Sequence, residues 1–175
     1  MLLLVQLGAM QSVIYAEEKA TAKNKDEIAR IQKYREEGEK KLVENKFTKK
    51  EVALTGANVK ETIKQKWEKM DAYYEGSKLV RLQLYPHGAT SGRTEEFYLM
   101  DNKLVFAFIQ DKGPKHEGKD MGGPGKELYF HNDKLIKFED RSGDPKATHV
   151  DQEKKMYETR LPYEILELLE ILNQG

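Results

Sequence analysis

Tyr98-Leu99-Met100-Asp101-Asn102-Lys103-Leu104-Val105 decides the fold of this chain, because two other segments repeat its pattern. Each segment has a tyrosine, four residues that include a turn signal, and then Lys-Leu followed by Val or Ile. The other two copies are Tyr73-Tyr74-Glu75-Gly76-Ser77-Lys78-Leu79-Val80 and Tyr129-Phe130-His131-Asn132-Asp133-Lys134-Leu135-Ile136. The turn residues are types that tolerate positive φ, as two-residue hairpin turns require. The repeat therefore predicts three β-hairpins in one antiparallel meander.

The turn also sets an expected register in the second hairpin. Met100 should face Lys103, so that Tyr98 faces Val105 and Phe97 faces Phe106. Phe97 and Phe106 would then share one side of the sheet with Leu99 and Leu104. The run from 104 to 109 is apolar at every position, which predicts a central strand covered on both faces. The outer hairpins are more polar, and we expect Arg81, Gln83, Lys137 and Glu139 to lie half-exposed.

One helix is expected before the strands of this sheet in the sequence, and another after them. Residues 24–46 have helical composition, although Gly38 weakens the middle of that segment. Pro162 suits the first position of a C-terminal helix over 162–173. Its apolar face would contain Ile165, Leu166, Leu168, Leu169 and Leu172, with Glu164, Glu167 and Glu170 on the opposite side. The predicted fold is α+β: a meander of three repeated hairpins at 66–140, inside one domain at 51–175, with an N-terminal and a C-terminal helix.

The first residues have the pattern of a secretory signal peptide. An apolar run from Leu2 to Met10 precedes a short polar zone, Ala16 and then charged residues. We predict a signal peptide at 1–16, a charged helix at 17–50 and a periplasmic or secreted location, although no Lys or Arg precedes Leu2. The alternative is a buried first element of a cytoplasmic protein. The run is too short for stable membrane insertion, which needs about 20 apolar residues.

Composition and the absence of certain motifs argue against several classes of function. The 30 basic and 30 acidic residues balance, so the chain lacks the basic character of a nucleic-acid binder. It has no Cys, which excludes disulfides and thiolate metal sites. We find no cofactor motif, no His spacing typical of a metal site and no Gly-x-Ser-x-Gly elbow, so we predict no cofactor, no metal and no catalytic residue. The Gly-rich segment 111–126 is either functional or disordered.

The tyrosines of the repeat are the remaining candidate site. Tyr73, Tyr98 and Tyr129 should form a stripe on one face, with Val80, Val105 and Ile136 directly opposite them. The stripe either packs beneath a helix or lines a groove for a ligand, depending on whether the N-terminal helix covers it. We expect a non-catalytic exported module that binds a small apolar ligand or a protein partner. The alternatives are a small enzyme with an acid/His site near His116 or His131, and an envelope structural or interaction protein.

Overall fold

A computed structural model of the chain describes residues 3–87, 93–111, 125–140 and 150–174. Its elements are α1 (Leu3–Val43), β1 (Thr48–Ala53), α2 (Glu61–Lys64), β2 (Trp67–Glu75), β3 (Lys78–Pro86), β4 (Arg93–Met100), β5 (Lys103–Asp111), β6 (Gly125–His131), β7 (Lys134–Asp140) and α3 (Val150–Asn173). Most of segment 111–126 lies outside the described residues. No helix in the described ranges is both long enough and apolar enough to cross a membrane.

The seven strands form one open antiparallel sheet in the order β1 to β7, so the predicted α+β meander is confirmed. Each turn of the repeat has the positive φ that its residue types allow. Gly76 is at 61°, Asp101 and Asn102 are at 51° and 61°, and Asn132 and Asp133 are at 50° and 62°. The predicted central hairpin, β4–β5, lies in the middle of the sheet, and β1 adds a strand before the first hairpin.

A β-bulge makes the predicted register wrong from the third cross-strand pair onward. Met100 pairs with Lys103 and Leu99 with Leu104, but Tyr98 pairs with Phe106 and leaves Val105 as an extra residue. The other two hairpins have a shift at the same place, so Val80 and Ile136 are extra residues as well. The three aliphatic residues are therefore not directly opposite the tyrosines, and Phe106 joins Tyr98 on the face that it was predicted to avoid.

The two faces of the sheet are named here by the helix that packs on each. The α3 face carries the larger core, and its central row is apolar across six strands in register: Ala72, Leu82, Phe97, Ala107, Leu128 and Phe138. The α1 face carries a smaller cluster of buried residues: Ile31 of the helix with Val80, Tyr98, Val105, Phe106 and Tyr129 of the sheet. Both faces of the central hairpin are thus covered, as its apolar sequence predicts.

Outside this cluster the α1 face is polar, and it is more buried than expected. Arg81 and Gln83 are only 5% and 7% exposed, so the prediction of half-exposed positions is wrong for them. The reason is pairing: Nη2 of Arg81 donates to Oε1 of Gln83 at 2.7 Å and lies 2.8 Å from Oε2 of Glu96. Lys137 and Glu139 are half-buried as predicted.

Helix α1 crosses the hairpin tips on its face. It begins at Leu3 and ends at Val43, so the boundaries predicted at 24 and 46 are wrong. Gly38, which weakens the helix locally, is needed for packing, since a Cβ at this position would lie 2.7 Å from Cε1 of Tyr98. The hydroxyl of Tyr98 donates to Glu39 next to it. The glycine therefore allows α1 to approach the tyrosine ring closely.

Helix α3 starts twelve residues before the predicted position and contains Pro162 in its interior. Its first half is helical because Tyr157 and Leu161 are buried in the α3-face core, which outweighs the lost backbone bond at the proline. The predicted polar side is also partly wrong. Glu164 and Glu167 are buried, whereas Leu166 is 59% exposed.

Candidate functional site: the cleft between two hairpin tips

The first and second hairpins separate near their tips. Strands β3 and β4 are paired only from Arg81–Tyr98 to Leu84–Glu95, although β3 begins at Lys78 and β4 ends at Met100. The ladder stops where both hairpins have their bulges. Because a bulge bends its strand and increases the local twist, the tips diverge. The space between them, which we name the hairpin cleft, has a volume of 540 Å³.

The hairpin cleft has an apolar floor and a polar rim. Leu79, Val80 and Leu99 form the floor and are at most 7% exposed. Tyr34 of α1 and Met100 are half-buried at its side. The exposed rim consists of polar residues from the two turns and their flanks: Glu75, Ser77, Lys78, Asp101 and Asn102. The volume and this mixture of surfaces are typical of small-molecule and peptide sites.

Backbone groups of both strands point into the hairpin cleft. In a two-residue hairpin the pair that flanks the turn is hydrogen-bonded, and the next pair is not. Leu79 and Leu99 occupy that next position, opposite Tyr74 and Leu104. Their peptide groups therefore point away from their own hairpins and toward one another across the cleft. The hydroxyl of Tyr34 donates to the carbonyl oxygen of Leu99 at 2.7 Å, which agrees with this direction.

The rim carries charges of both signs. Burial, together with the carboxylates of Glu75 and Asp101, raises the pKa of Tyr34 to about 12. Nζ of Lys41 lies 2.5 Å from Oε1 of Glu75, and Arg30 lies close enough to Asp101 for an electrostatic attraction. The cleft therefore presents acidic and basic groups to an occupant, rather than a field of one sign.

The structure places the three predicted tyrosines in one cross-strand row on the α1 face, and none of them lines this cleft. Tyr98 and Tyr129 are buried and pack edge-on against Phe106, with centroid distances of 6.1 and 5.1 Å. Helix α1 lies over both of them. Nε2 of Gln32 donates to the Tyr129 hydroxyl at 3.4 Å. Tyr73 is half-buried and meets the ring of Phe47. The stripe is thus largely beneath a helix, and a ligand-binding role for it remains a prediction.

The histidines do not come together in the described part of the chain. Nδ1 of His131 lies 3.0 Å from Oε1 of Glu27 in α1, and His87 contacts the carbonyl of Lys64. His116 and His149 are outside the described residues. Within the described ranges, no group of three or more His, Asp and Glu side chains could hold a metal ion.

The sequence indicated where the hairpin tips are but not that they separate. The repeat was visible, yet a bulge leaves no residue signature that distinguishes it from a regular two-residue hairpin. The approach of Tyr34 depends on where α1 docks, which no local pattern encodes. Comparisons with known protein families, with characterised proteins and with solved structures found no match to this chain.

Proposed function

We propose that this protein is a non-catalytic binding module that holds an extended segment of a partner protein in the hairpin cleft. One observation carries the proposal: the β3–β4 ladder stops at Arg81–Tyr98 and leaves a 540 Å³ space between the strands. The hairpin pattern directs the peptide groups of Leu79 and Leu99 toward this space. Strand edges that a sheet leaves unpaired are the usual acceptors of an added peptide strand.

The surfaces of the cleft support a peptide as its occupant. Peptide side chains alternate between the two sides of an added strand. One set would lie on the α3 face beside Leu79 and Leu99, and the other would lie on the α1 face beside Val80 and Tyr34. The rim offers both Asp101 and Lys78 to charged residues of the segment. A small apolar ligand is the second candidate, and the buried floor favours it.

We further propose that the protein acts in the periplasm or outside the cell. The support is the signal-peptide pattern that ends at Ala16. The contacts between α1 and the sheet include Glu27–His131, Tyr34–Leu99 and Lys41–Glu75, all downstream of that position. Removal of residues 1–16 would therefore leave them intact. The intact mass of the protein purified from its host tests this: a chain that still begins at Met1 would contradict export.

The binding proposal can be tested with random short peptides displayed on phage and selected on the purified protein. Selected peptides should bind the Met100→Trp variant about tenfold more weakly, because the larger ring fills the cleft. Met156→Trp is the matched control, since Met156 is exposed on α3 and lies outside the cleft lining. Hydrogen exchange should show new protection of the Leu79 and Leu99 amides in the complex.

Two results would overturn the proposal. The first is the absence of any selected peptide. The second is a set of peptides that bind both variants equally and protect amides elsewhere. Circular dichroism of both variants checks that the substitutions preserve the fold. If peptides fail but a small apolar molecule binds with protection of the same two amides, the second candidate replaces the first.

A further inference from the structure

Helix α3 carries most of the exposed apolar side chains in the described part of the chain. Four large hydrophobic residues are exposed there, and three of them are Met156, Tyr163 and Leu166 of α3. The fourth, Val43, lies at the end of α1. Single exposed apolar residues are common on any protein surface, whereas several on one face of one helix indicate an interaction surface.

The three residues belong to one stripe along the solvent side of α3, which we name the α3 stripe. Its positions are all exposed and are spaced alternately by four and three residues: Gln152, Met156, Thr159, Tyr163, Leu166, Glu170 and Asn173. This is the spacing of the a and d positions of a coiled coil, where the side chains of two helices interlock. The α3 stripe is therefore suited to pack along a second helix over about 30 Å.

Two grooves flank the α3 stripe, so that it stands out as a ridge. One groove, of 330 Å³, separates α3 from α2 and has Thr159 and Tyr163 in its walls. The other, of 310 Å³, lies between α3 and the tips of the second and third hairpins and has Leu166 in its wall. The described elements thus pack beside the stripe without covering it. A second helix can reach Tyr163 and Leu166 without displacing any of these elements.

The charges of α3 match a second copy of the same helix that runs in the opposite direction. The first half of α3 contains Lys154 and Lys155, and the second half contains Glu167 and Glu170. No basic residue lies in its last turn, although a helix C-terminus favours cations. An antiparallel second copy would bring its lysines to this end, and the two helix dipoles would also attract each other. A parallel copy would place glutamates beside glutamates.

We propose that the protein forms a symmetric dimer through antiparallel packing of two α3 stripes. With Met156 opposite Leu166 of the second copy, Thr159 lies opposite Tyr163. The same two contacts recur on the other side of the two-fold axis, as in any dimer with this symmetry. In this register Glu170 of one copy comes within one helical turn of Lys155 of the other, at both ends of the interface.

The dimer does not require the hairpin cleft, because the cleft and the α3 stripe share no residue. Two hairpin clefts would be present in each dimer. A partner with two suitable segments would then bind more tightly than a partner with one. This consequence, unlike the dimer itself, rests on the proposed function.

Sedimentation velocity of the purified protein from about 1 μM to about 300 μM tests the dimer. A single pair of helices gives a small interface, so we expect a dissociation constant on the order of 10 μM. At about 1 μM the chain should be monomeric, so a substitution of Met156 or Tyr163 studied at that concentration reports on the monomer.

Leu166→Glu should raise the dissociation constant at least about tenfold, because it places a charge in the middle of the interface. Val43→Glu is the matched control, since it also replaces an exposed aliphatic side chain by a carboxylate but lies outside α3. Circular dichroism checks the fold of both variants. A wild-type chain that stays monomeric at every concentration would overturn the proposal, as would a Leu166→Glu variant that dimerises like the wild type.

An exchange of charges tests the antiparallel direction. Lys155→Glu alone and Glu170→Lys alone should each dimerise about tenfold more weakly than the wild type, because like charges then meet at both ends of the interface. A mixture of the two variants should sediment as a dimer where neither does so alone, since each glutamate again meets a lysine. A mixture that stays monomeric at concentrations where the wild type dimerises would contradict the antiparallel arrangement.

Discussion

The two faces of the sheet differ in the kind of side chains that they bury. Among the described residues, twenty that are buried form one cluster on the α3 face, with an apolar row at its centre. On the α1 face, the cluster has six buried residues within the same described ranges. One row of that face reads Lys49, Tyr73, Arg81, Tyr98, Phe106, Tyr129 and Lys137, and the adjacent row reads Glu51, Asp71, Gln83, Glu96, Phe108, Glu127 and Glu139.

These rows show how a sheet can bury polar residues without losing its fold. The cations and tyrosine hydroxyls of one row bond to acids of the next, as in Arg81–Glu96 and Tyr129–Glu127. Burial of a charge is tolerated when it is paired and hydrogen-bonded. The α3 face thus provides most of the hydrophobic stabilisation. The α1 face holds helix α1 through specific hydrogen bonds and ion pairs, and one of these places Tyr34 at the side of the hairpin cleft.

Truncation of one buried side chain in each helix should give the largest changes in stability, and so compares what the two faces contribute. Leu168→Ala in α3 should lower the free energy of unfolding by about 3–5 kcal/mol, and Ile31→Ala in α1 by about 2–3 kcal/mol. Both side chains are fully buried, but Leu168 lies in the larger core, where the cavity cannot collapse as easily. Urea denaturation measures both changes. Equal losses, or a larger loss for Ile31, would contradict the proposed division between the faces.

Gly38→Ala tests the docking of α1. The new Cβ would lie 2.7 Å from the Tyr98 ring, so α1 or the ring must shift. We expect a net loss of about 1–2 kcal/mol in the free energy of unfolding, because overpacking outweighs the gain in helix propensity.

Gly56→Ala is the control, since a Cβ at that position meets nothing within 4 Å and its φ is not positive. It should change stability by less than about 0.5 kcal/mol. A stabilising effect of Gly38→Ala in the same urea experiment would show that α1 does not rest closely on Tyr98.

The smallest effect is expected from Tyr34→Phe, read as a function of pH. The pKa of Tyr34 is raised to about 12 in the folded state, against about 10 for an unfolded tyrosine. Above pH 10 the unfolded chain loses this proton first, so the free energy of unfolding falls as the pH rises from about 10 to about 12. At neutral pH the free energy of unfolding of the variant should be about 1 kcal/mol lower, because the hydrogen bond to the Leu99 carbonyl oxygen is missing. Above pH 10 its free energy of unfolding should fall less steeply than that of the wild type.

Tyr163→Phe serves as the control for that measurement, because its ring is 61% exposed. Its pH profile should follow that of the wild type. If Tyr34→Phe and wild type decline with the same slope above pH 10, the buried Tyr34 hydroxyl is not what couples alkaline pH to stability.

Particular residues show how far the sequence could be interpreted. The repeated Lys-Leu-Val/Ile motif and its turn pairs predicted the meander and its central hairpin, since turn chemistry and hydrophobic pattern act locally. The composition of 24–46 and the apolar face after Pro162 predicted the two helices, although not where they begin. Sequence reasoning failed at Val105, where the bulge moved Phe106 to the other face. It also failed at Gly38, Arg81 and Glu164. Each of those residues depends on a partner distant in the chain, namely Tyr98, Glu96 and Trp67.

The amino-acid sequence by itself determined the order of strands, because each tight turn brings neighbouring segments together and leaves a meander as the only short connection. The tertiary structure alone decided which polar residues are buried, where the hairpin tips separate, and how α1 and α3 rest on their faces. Those features arise from contacts between segments dozens of residues apart, whose strength depends on shape and pairing rather than on the residue types at one position.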